Sequence, residues 1–117
     1  LRGRIDEALS RDRLFARPDL TLAQLAAAAG ATPHQVSEAL NRFGGFGFRD
    51  FVMRRRVDDV KAQLVDPASD RYTIEGIGAS AGFRSRSALY DAFRRLEGTT
   101  PTAFRADRRA TGRSSPS

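Results

Sequence analysis

A chain of 117 residues is long enough for one compact domain that buries most of its apolar surface. Its formal net charge of +6 predicts a surface that attracts polyanions, of which nucleic acid is the commonest. The absence of cysteine excludes disulfides, thiolate nucleophiles and sulfur-ligated zinc, and the single histidine, His34, cannot form a metal site alone. We therefore expect no enzyme, no cofactor and no metal site.

Apolar residues recur at helical spacing along the chain, and no stretch alternates apolar and polar residues for long enough to predict a strand. Proline steps, threonine caps and glycine breaks divide this periodicity. In chain order, the predicted helices cover residues 4–16, 22–29, 33–43, 48–65, 73–81, 85–96 and a short segment after residue 101. The sequence predicts an all-α fold, in which residues 110–117 have nothing to bury and form a disordered tail.

The spacing of small and apolar residues is typical of a helix-turn-helix. This motif requires a small residue where its helices cross, a glycine in the turn four positions later, and an apolar residue that pins the second helix to the core. Ala26, Gly30 and Val36 meet these requirements. The pattern returns, with a turn one residue longer, at Gly78, Gly82 and Leu89.

A set of five apolar or glycine positions has like partners 53 positions further on. The pairs are Val36–Leu89, Leu40–Phe93, Phe43–Leu96, Gly45–Gly98 and Phe51–Phe104. Five matches in one register indicate an internal duplication. We therefore expect one domain over residues 1–109, with a first unit over about 1–47, a linker helix over about 48–65 and a second unit over about 70–109.

The third predicted helix has one apolar face, since a rotation of about 100° per residue gathers Val36, Ala39, Leu40 and Phe43. Its outward residues are His34, Ser37, Glu38, Asn41 and Arg42. These side chains face solvent or a ligand. The alternative for this helix, and for its later counterpart, is a face that is merely solvated.

The later helix has the same division. Its buried stripe is Leu89, Ala92, Phe93 and Leu96, and its outward residues are Ser87, Tyr90, Asp91 and Arg94, with Arg86 at the flank. Arginine can fork onto guanine, serine can bind a phosphate or a base, and tyrosine can contact a thymine methyl group or a phosphate.

Positive charge is concentrated in the last part of the chain. Residues 70–117 contain nine arginines and five acids, whereas residues 1–47 contain six arginines and five acids. The candidates for phosphate contacts are Arg42, Arg84, Arg94, Arg95, Arg105, Arg108 and Arg109. The run of arginines at 54–56 fans around its helix, so that we expect these side chains to be mostly solvated.

Residues 22–109 resemble the AraC/XylS-type DNA-binding domain. The second half carries Ile77-Gly78-Ala79-Ser80-Ala81-Gly82-Phe83-Arg84-Ser85, then Leu89, Phe93-Arg94, Gly98, Thr100-Pro101 and Phe104-Arg105. The first half agrees at Phe48, Phe51-Val52 and Arg56-Val57. Two positions depart from the family pattern, since Gly78 replaces the usual alanine and Val60 replaces a small residue. With Gly76 nearby, we expect helix five to lose about 1 kcal/mol per glycine and to be mobile.

The resemblance implies seven helices, in which a linker helix joins two lobes that insert recognition helices into successive major grooves. It implies base contacts from His34, Ser37 and Glu38, and from Arg86, Ser87, Tyr90 and Asp91; we add the outward Asn41 as a further candidate. It also implies a separate sensing or dimerisation domain ahead of this one, which agrees with a first residue that is not methionine.

The sequence predicts sequence-specific binding of double-stranded DNA for transcription regulation, in the cytoplasm, with RNA polymerase and the sensing domain as further partners. The alternative is a helical protein-interaction module that contacts polymerase or a sensor domain. A second alternative is an enzyme like the alkyl-transfer repair proteins that carry a similar domain, but that chemistry requires a cysteine.

Overall fold

The computed structural model describes residues 1–45 and 47–114, without the side chains of residues 43 and 109–114. These residues form seven α-helices and two 3₁₀ helices, and no strand occurs among them, so that the all-α prediction is confirmed. The α-helices are α1 (Arg2–Ser10), α2 (Leu22–Ala29), α3 (Pro33–Gly44), α4 (Phe48–Val65), α5 (Ile74–Ser80), α6 (Arg86–Glu97) and α7 (Pro101–Ser114).

The chain divides into two compact units, Leu1–Arg56 and Val57–Ser117. The division falls within α4, which contributes residues to both. α4 covers residues 48–65, which the sequence predicts to be the linker helix between the two units. In the first unit, Val52 of α4 is buried and belongs to the core, and in the second unit Val60 and Leu64 are buried.

The core of the first unit is formed by one apolar stripe from each of its helices. α1 contributes residues spaced three and four apart, which lie on one face of a helix. The buried residues are Ile5, Ala8, Leu9, Phe15, Leu20, Leu25, Ala26, Ala29, Val36, Leu40 and Val52. One face of α3 packs against this core, and the opposite face of α3 is exposed.

The first predicted helix, over residues 4–16, is wrong in its second half. α1 ends at Ser10, and a 3₁₀ helix follows over Arg11–Ala16, within which Asp12 and Arg13 adopt left-handed φ values of 52° and 54°. Such a conformation costs on the order of 1–3 kcal/mol for each residue. The change of direction places Phe15 in the core at 1% exposure, and burial of such a ring gains about 1.5–3 kcal/mol.

Two of the three arginines at 54–56 are less solvated than the sequence predicts, whereas Arg54 is exposed. Arg55 is half-buried, and its guanidinium carbon lies 4.7 Å from the centre of the Phe15 ring. Arg56 donates from Nε to the carbonyl of Phe15 and from Nη2 to the carbonyl of Arg17, both at 2.7 Å. Because these carbonyls end the 3₁₀ helix, Arg56 fixes the segment that leads into α2.

Both helix-turn-helix turns close with the same backbone hydrogen bond. In the first unit, Gly30 has a left-handed φ of 71°, and the Ala31 N–H donates to the Ala26 carbonyl at 2.9 Å. In the second unit, the Phe83 N–H donates to the Gly78 carbonyl at 3.0 Å. Each bond reaches back five residues to the small residue at the helix crossing, as in a Schellman closure.

The second helix of each motif begins at a side-chain cap. Thr32 Oγ1 accepts from the Gln35 N–H at 3.1 Å, and Gln35 Oε1 accepts from the Thr32 N–H at 2.9 Å, which together form a capping box. Ser85 Oγ accepts from the Ala88 N–H at 3.1 Å. The helix predicted to begin at residue 85 therefore begins at Arg86, with Ser85 as its cap.

The core of the second unit contains the buried residues Val57, Val60, Leu64, Ile77, Ala81, Phe83, Leu89, Ala92 and Phe93. The rings of Phe93 and Phe104 meet edge to face, with centroids 5.4 Å apart. Val60 is fully buried although the family pattern favours a smaller residue there. The core therefore accommodates one larger side chain from α4.

Gly78 lies where α5 closely approaches α6. A Cβ atom at this position would lie 2.7 Å from Cδ2 of Leu89, which is itself fully buried. Glycine lowers the helix propensity of α5, as predicted. A larger side chain at this position would instead overlap with Leu89, which has little room to move.

The last helix extends further than the short segment predicted after residue 101. It continues to Ser114 and so includes residues 110–114, which fall within the predicted disordered tail. Arginine and alanine, which favour a helix, occupy residues 108–110 and allow it to propagate. Residues 115–117 lie outside the described residues, and their disorder stays a prediction.

The first test concerns the helix crossing at Gly78. We expect Gly78→Ala to lower the free energy of unfolding by about 1 kcal/mol, because overpacking against Leu89 outweighs the gain in helix propensity. The control is Gly3→Ala in α1, where an added Cβ meets nothing within 4 Å and the variant should gain stability. Thermal unfolding of both variants makes the comparison, and a Gly78→Ala protein as stabilised as Gly3→Ala would contradict the steric argument.

The second test concerns the arginine anchor in the first unit. We expect Arg56→Ala to destabilise the protein by about 2 kcal/mol, because two carbonyl groups lose a charged donor. Arg49→Ala, which removes an exposed arginine from the same helix, should change stability by less than about 0.5 kcal/mol. Equal unfolding midpoints for the two variants in a denaturant titration would show that the Arg56 hydrogen bonds do not stabilise the fold.

Candidate nucleic-acid interface

The outward face of α3 is the first candidate surface. Val36 and Leu40 are fully buried, which turns the opposite side of the helix to solvent. Of the side chains predicted to point outward, four are exposed and one, Ser37, is half-buried. The exposed ones are His34, Glu38, Asn41 and Arg42.

The face of α3 contains its own charge pair. His34 Nε2 lies 3.7 Å from Glu38 Oε1 one helical turn away, and both side chains are largely exposed. The histidine carries a charge in this pair only when it is protonated. A carboxylate on this face repels phosphate, but it can accept a hydrogen bond from the amino group of cytosine.

The outward face of α6 is the second candidate surface. Leu89, Ala92 and Phe93 are buried, whereas Leu96, which was predicted to complete this stripe, is half-buried. Arg86, Ser87, Asp91, Arg94 and Arg95 are exposed. Arg86 and Ser87 occupy the first two positions of the helix, which is the end of a recognition helix that contacts base edges.

Tyr90 is held in place on this face by one contact at its ring and one at its hydroxyl. It is half-buried, its hydroxyl lies 2.8 Å from Thr102 Oγ1 of α7, and the guanidinium carbon of Arg86 lies 4.6 Å from its ring centroid. The hydroxyl of Tyr90, which was predicted to contact a base, therefore already has a hydrogen-bond partner. The ring acts as a platform for Arg86 through a cation–π contact.

Arg86 also pairs with an acid that the sequence analysis did not single out. Its Nη1 forms an ion pair and hydrogen bond with Glu75 Oε1, in the first turn of α5. Glu75 and Thr102 both lie outside α6, and neither belongs to the repeated pattern. Only the packing of α5 and α7 beside α6 reveals them.

Arg105 differs from the other arginines predicted to contact phosphate. It is half-buried, and its guanidinium donates to the carbonyl of Ser69 at 2.9 Å and to that of Tyr72 at 3.4 Å. Its Nε atom is buried. Arg105 thus stabilises the segment between α4 and α5, and we remove it from the proposed phosphate contacts.

Four other arginines of the second unit that were predicted to contact phosphate have exposed side chains. They are Arg84, Arg94, Arg95 and Arg108. Arg108 also stacks on Phe104, with its guanidinium carbon 5.2 Å from the ring centroid. The side chain of residue 109 lies outside the described part of the chain.

Within the described ranges, 1–45 and 47–114, no group of three or more histidine, cysteine or acidic residues is arranged to hold a metal ion. None of the helices in these ranges is both long and apolar enough to cross a membrane.

Comparison with protein families matches residues 25–107 of the chain to a family described as "Helix-turn-helix domain". This match includes both helix-turn-helix motifs and the helix between them. Among curated proteins, no sequence matches the chain.

Several solved structures share the fold. One is the DNA-binding domain of AdpA, described as the global transcriptional factor and solved in complex with a target DNA. It is 25% identical to this chain, with a TM-score of 0.75, and the alignment covers 95% of this chain and 97% of that domain. An AraC-type transcriptional regulator from Chromobacterium violaceum is 20% identical, with a TM-score of 0.77 over 99% and 96%. The C-terminal domain of AraT, a response regulator from Geobacillus stearothermophilus, is 21% identical, with a TM-score of 0.72 over 89% and 84%.

The family match, the duplicated motif and the fold agree with one another. The match covers well over half of the chain, and its limits enclose the residues that carry the resemblance in the sequence. The chain belongs to the AraC/XylS-type helix-turn-helix family, and it is a sequence-specific DNA-binding domain for transcription regulation.

Proposed function

We propose that the chain reads two successive major-groove segments of duplex DNA, one with α3 and one with α6. The observation that carries this proposal is the repeated construction of the two helices. Each follows a tightly closed turn, begins at a side-chain cap, and exposes polar residues on the face opposite the core. A recognition helix of a helix-turn-helix uses its N-terminal residues to contact base edges.

The proposed base contacts are the exposed or half-buried polar residues of the two helices. They are His34, Ser37, Glu38 and Asn41 on α3, and Arg86, Ser87, Tyr90 and Asp91 on α6. The proposed phosphate contacts are Arg42, Arg84, Arg94, Arg95 and Arg108. The first group would supply sequence preference, and the second would supply most of the affinity.

The two units are expected to contribute unequally. Residues 70–117, which contain α5, α6 and α7, carry nine arginines against five acids, so that phosphate binding is concentrated in this part of the chain. The first unit presents Glu38 and His34, which favour discrimination between bases over general attraction to DNA. We expect the α6 element of the site to be the stronger one.

Selection from a pool of random DNA duplexes tests this function directly. The expected result is an asymmetric site of two short elements whose centres lie about one helical turn apart. Binding should weaken steeply as salt rises, because phosphate contacts release counterions. A failure to bind duplex DNA in a salt-dependent way would favour the alternative of a helical protein-interaction module.

Two further partners belong to this proposal, namely RNA polymerase and a separate sensing or dimerisation domain. The AraT domain, which is part of a response regulator, supports a linked sensing domain. We also propose that the chain acts in the cytoplasm without enzymatic activity. Polymerase binding predicts a slower-migrating ternary complex in a gel with cognate DNA, and a mixture that gives only the two binary complexes would argue against it.

The third test concerns Arg94 as a phosphate contact. We expect Arg94→Ala to weaken binding to cognate and random duplexes alike, and to reduce the slope of log K against log salt by about 0.9. Fluorescence anisotropy at several salt concentrations measures both quantities. The matched control is Arg11→Ala, because Arg11 is an exposed arginine that pairs with Glu7 outside the proposed surfaces. If neither variant changes the salt slope, the assignment of Arg94 as a phosphate contact is contradicted.

A further inference from the structure

The contacts around Arg86 form a small network that joins three helices. Glu75 from α5 pairs with the Nη1 group of Arg86, the guanidinium lies over the Tyr90 ring, and the Tyr90 hydroxyl bonds Thr102 of α7. We call these four residues the Arg86 cluster. All four belong to the second compact unit.

The cluster restricts both the position and the orientation of a flexible side chain. The contact with Tyr90 restricts where the guanidinium carbon lies, and the bond to Glu75 restricts which nitrogen atoms point away from α5. Since Glu75 uses Nη1, the edge formed by Nε and Nη2 is the one that can fork onto the O6 and N7 atoms of guanine. An arginine that is already ordered loses less conformational entropy when it binds a base.

Glu75 also lowers the ability of Arg86 to bind phosphate on DNA of any sequence. A mobile exposed arginine can reach a phosphate on any sequence, and such contacts supply affinity without discrimination. A carboxylate paired with the guanidinium neutralises much of its charge and repels a nearby phosphate. A guanine edge remains a suitable partner, because it offers two acceptors in a fixed geometry.

The first unit has no equivalent of this cluster. The offset between the two helix crossings matches Glu75 with Ala23. The offset between the two recognition helices matches Arg86 with Pro33 and Tyr90 with Ser37. None of these three residues can form an ion pair or a cation–π contact. The cluster is therefore a property of α6 and its neighbours, and the shared motif does not require it.

We propose that Glu75 is a positioning residue for DNA recognition, which with Tyr90 and Thr102 holds Arg86 for a guanine edge and lowers its affinity for phosphate. This inference rests on the proposed function, in which α6 enters the major groove. Glu75 itself need not contact DNA.

The test is a double-mutant cycle between Glu75→Gln and Arg86→Ala. Arg86→Ala first identifies the base pair at which preference is lost. Glu75→Gln, which keeps the shape of the side chain, should reduce discrimination at that pair by roughly two- to tenfold. It should also tighten binding to random duplexes and steepen the salt slope, because Arg86 becomes available to phosphate. In the Arg86→Ala background, Glu75→Gln should leave discrimination at that pair unchanged.

The matched control is Glu38→Gln, which removes a carboxylate from the other proposed reading helix. It should tighten binding to random duplexes in the same way, but discrimination at the pair assigned to Arg86 should not change. Thermal unfolding of every variant establishes that the fold persists, and Glu75 is exposed, so that the substitution leaves no buried group unpaired.

The outcomes separate this inference from the proposed function. If Arg86→Ala loses a base preference while Glu75→Gln retains it in full, the positioning role of Glu75 is overturned and DNA reading by α6 stands. If Arg86→Ala leaves the selected motif unchanged, Arg86 reads no base and the inference fails. If the unmodified protein shows no salt-dependent duplex binding, the proposed function itself is wrong.

Discussion

The close crossing of two short helices is the constraint on which each half of this molecule depends. In both units a small residue allows the crossing, and its carbonyl accepts a hydrogen bond from the N–H five residues later, at Ala26 and Ala31 in one case and at Gly78 and Phe83 in the other. This closure sets the direction in which the next helix leaves the turn. The core then buries one face of that helix, and the opposite face is presented to the surroundings. A change of a few tenths of an ångström at the crossing would therefore alter the angle of the presented helix.

Arginine has two distinct uses in this chain, although composition gives no means of telling them apart. Arg56 and Arg105 each donate to two backbone carbonyls in the segment that precedes a capped helix, at Phe15 and Arg17 for the first and at Ser69 and Tyr72 for the second. The planar guanidinium suits this role because it can reach two acceptors at once. The exposed arginines form the second class, and these are the ones whose side chains can contact a polyanion directly. The excess of positive charge thus overstates the number of side chains available for DNA.

Local signals allowed most of the fold to be predicted, whereas contacts between elements could not be predicted. The left-handed turn at Gly30 and the helix cap at Thr32 could be predicted, because both features depend on residues only a few positions away. The left-handed backbone at Asp12 was missed, because Phe15 also fits the helical spacing of the first predicted helix and its position depends on packing in the core. The outward faces of α3 and α6 followed from helical periodicity. The internal bonds of Arg105 and the pairing of Glu75 with α6 depend on helix packing, which leaves no regular spacing in the sequence.

The acids on the two presented faces have a consequence for how such a protein would find its target. Glu38 on α3 and Asp91 on α6 are exposed, although the chain as a whole is strongly basic. A genome offers on the order of a million or more competing sites, so that time spent on the wrong ones limits how soon the right one is occupied. A negative group beside the bases shortens the residence time on unmatched DNA, while distant arginines still guide the encounter. The protein would thereby combine fast capture with fast release, and only a matching sequence would prolong its stay.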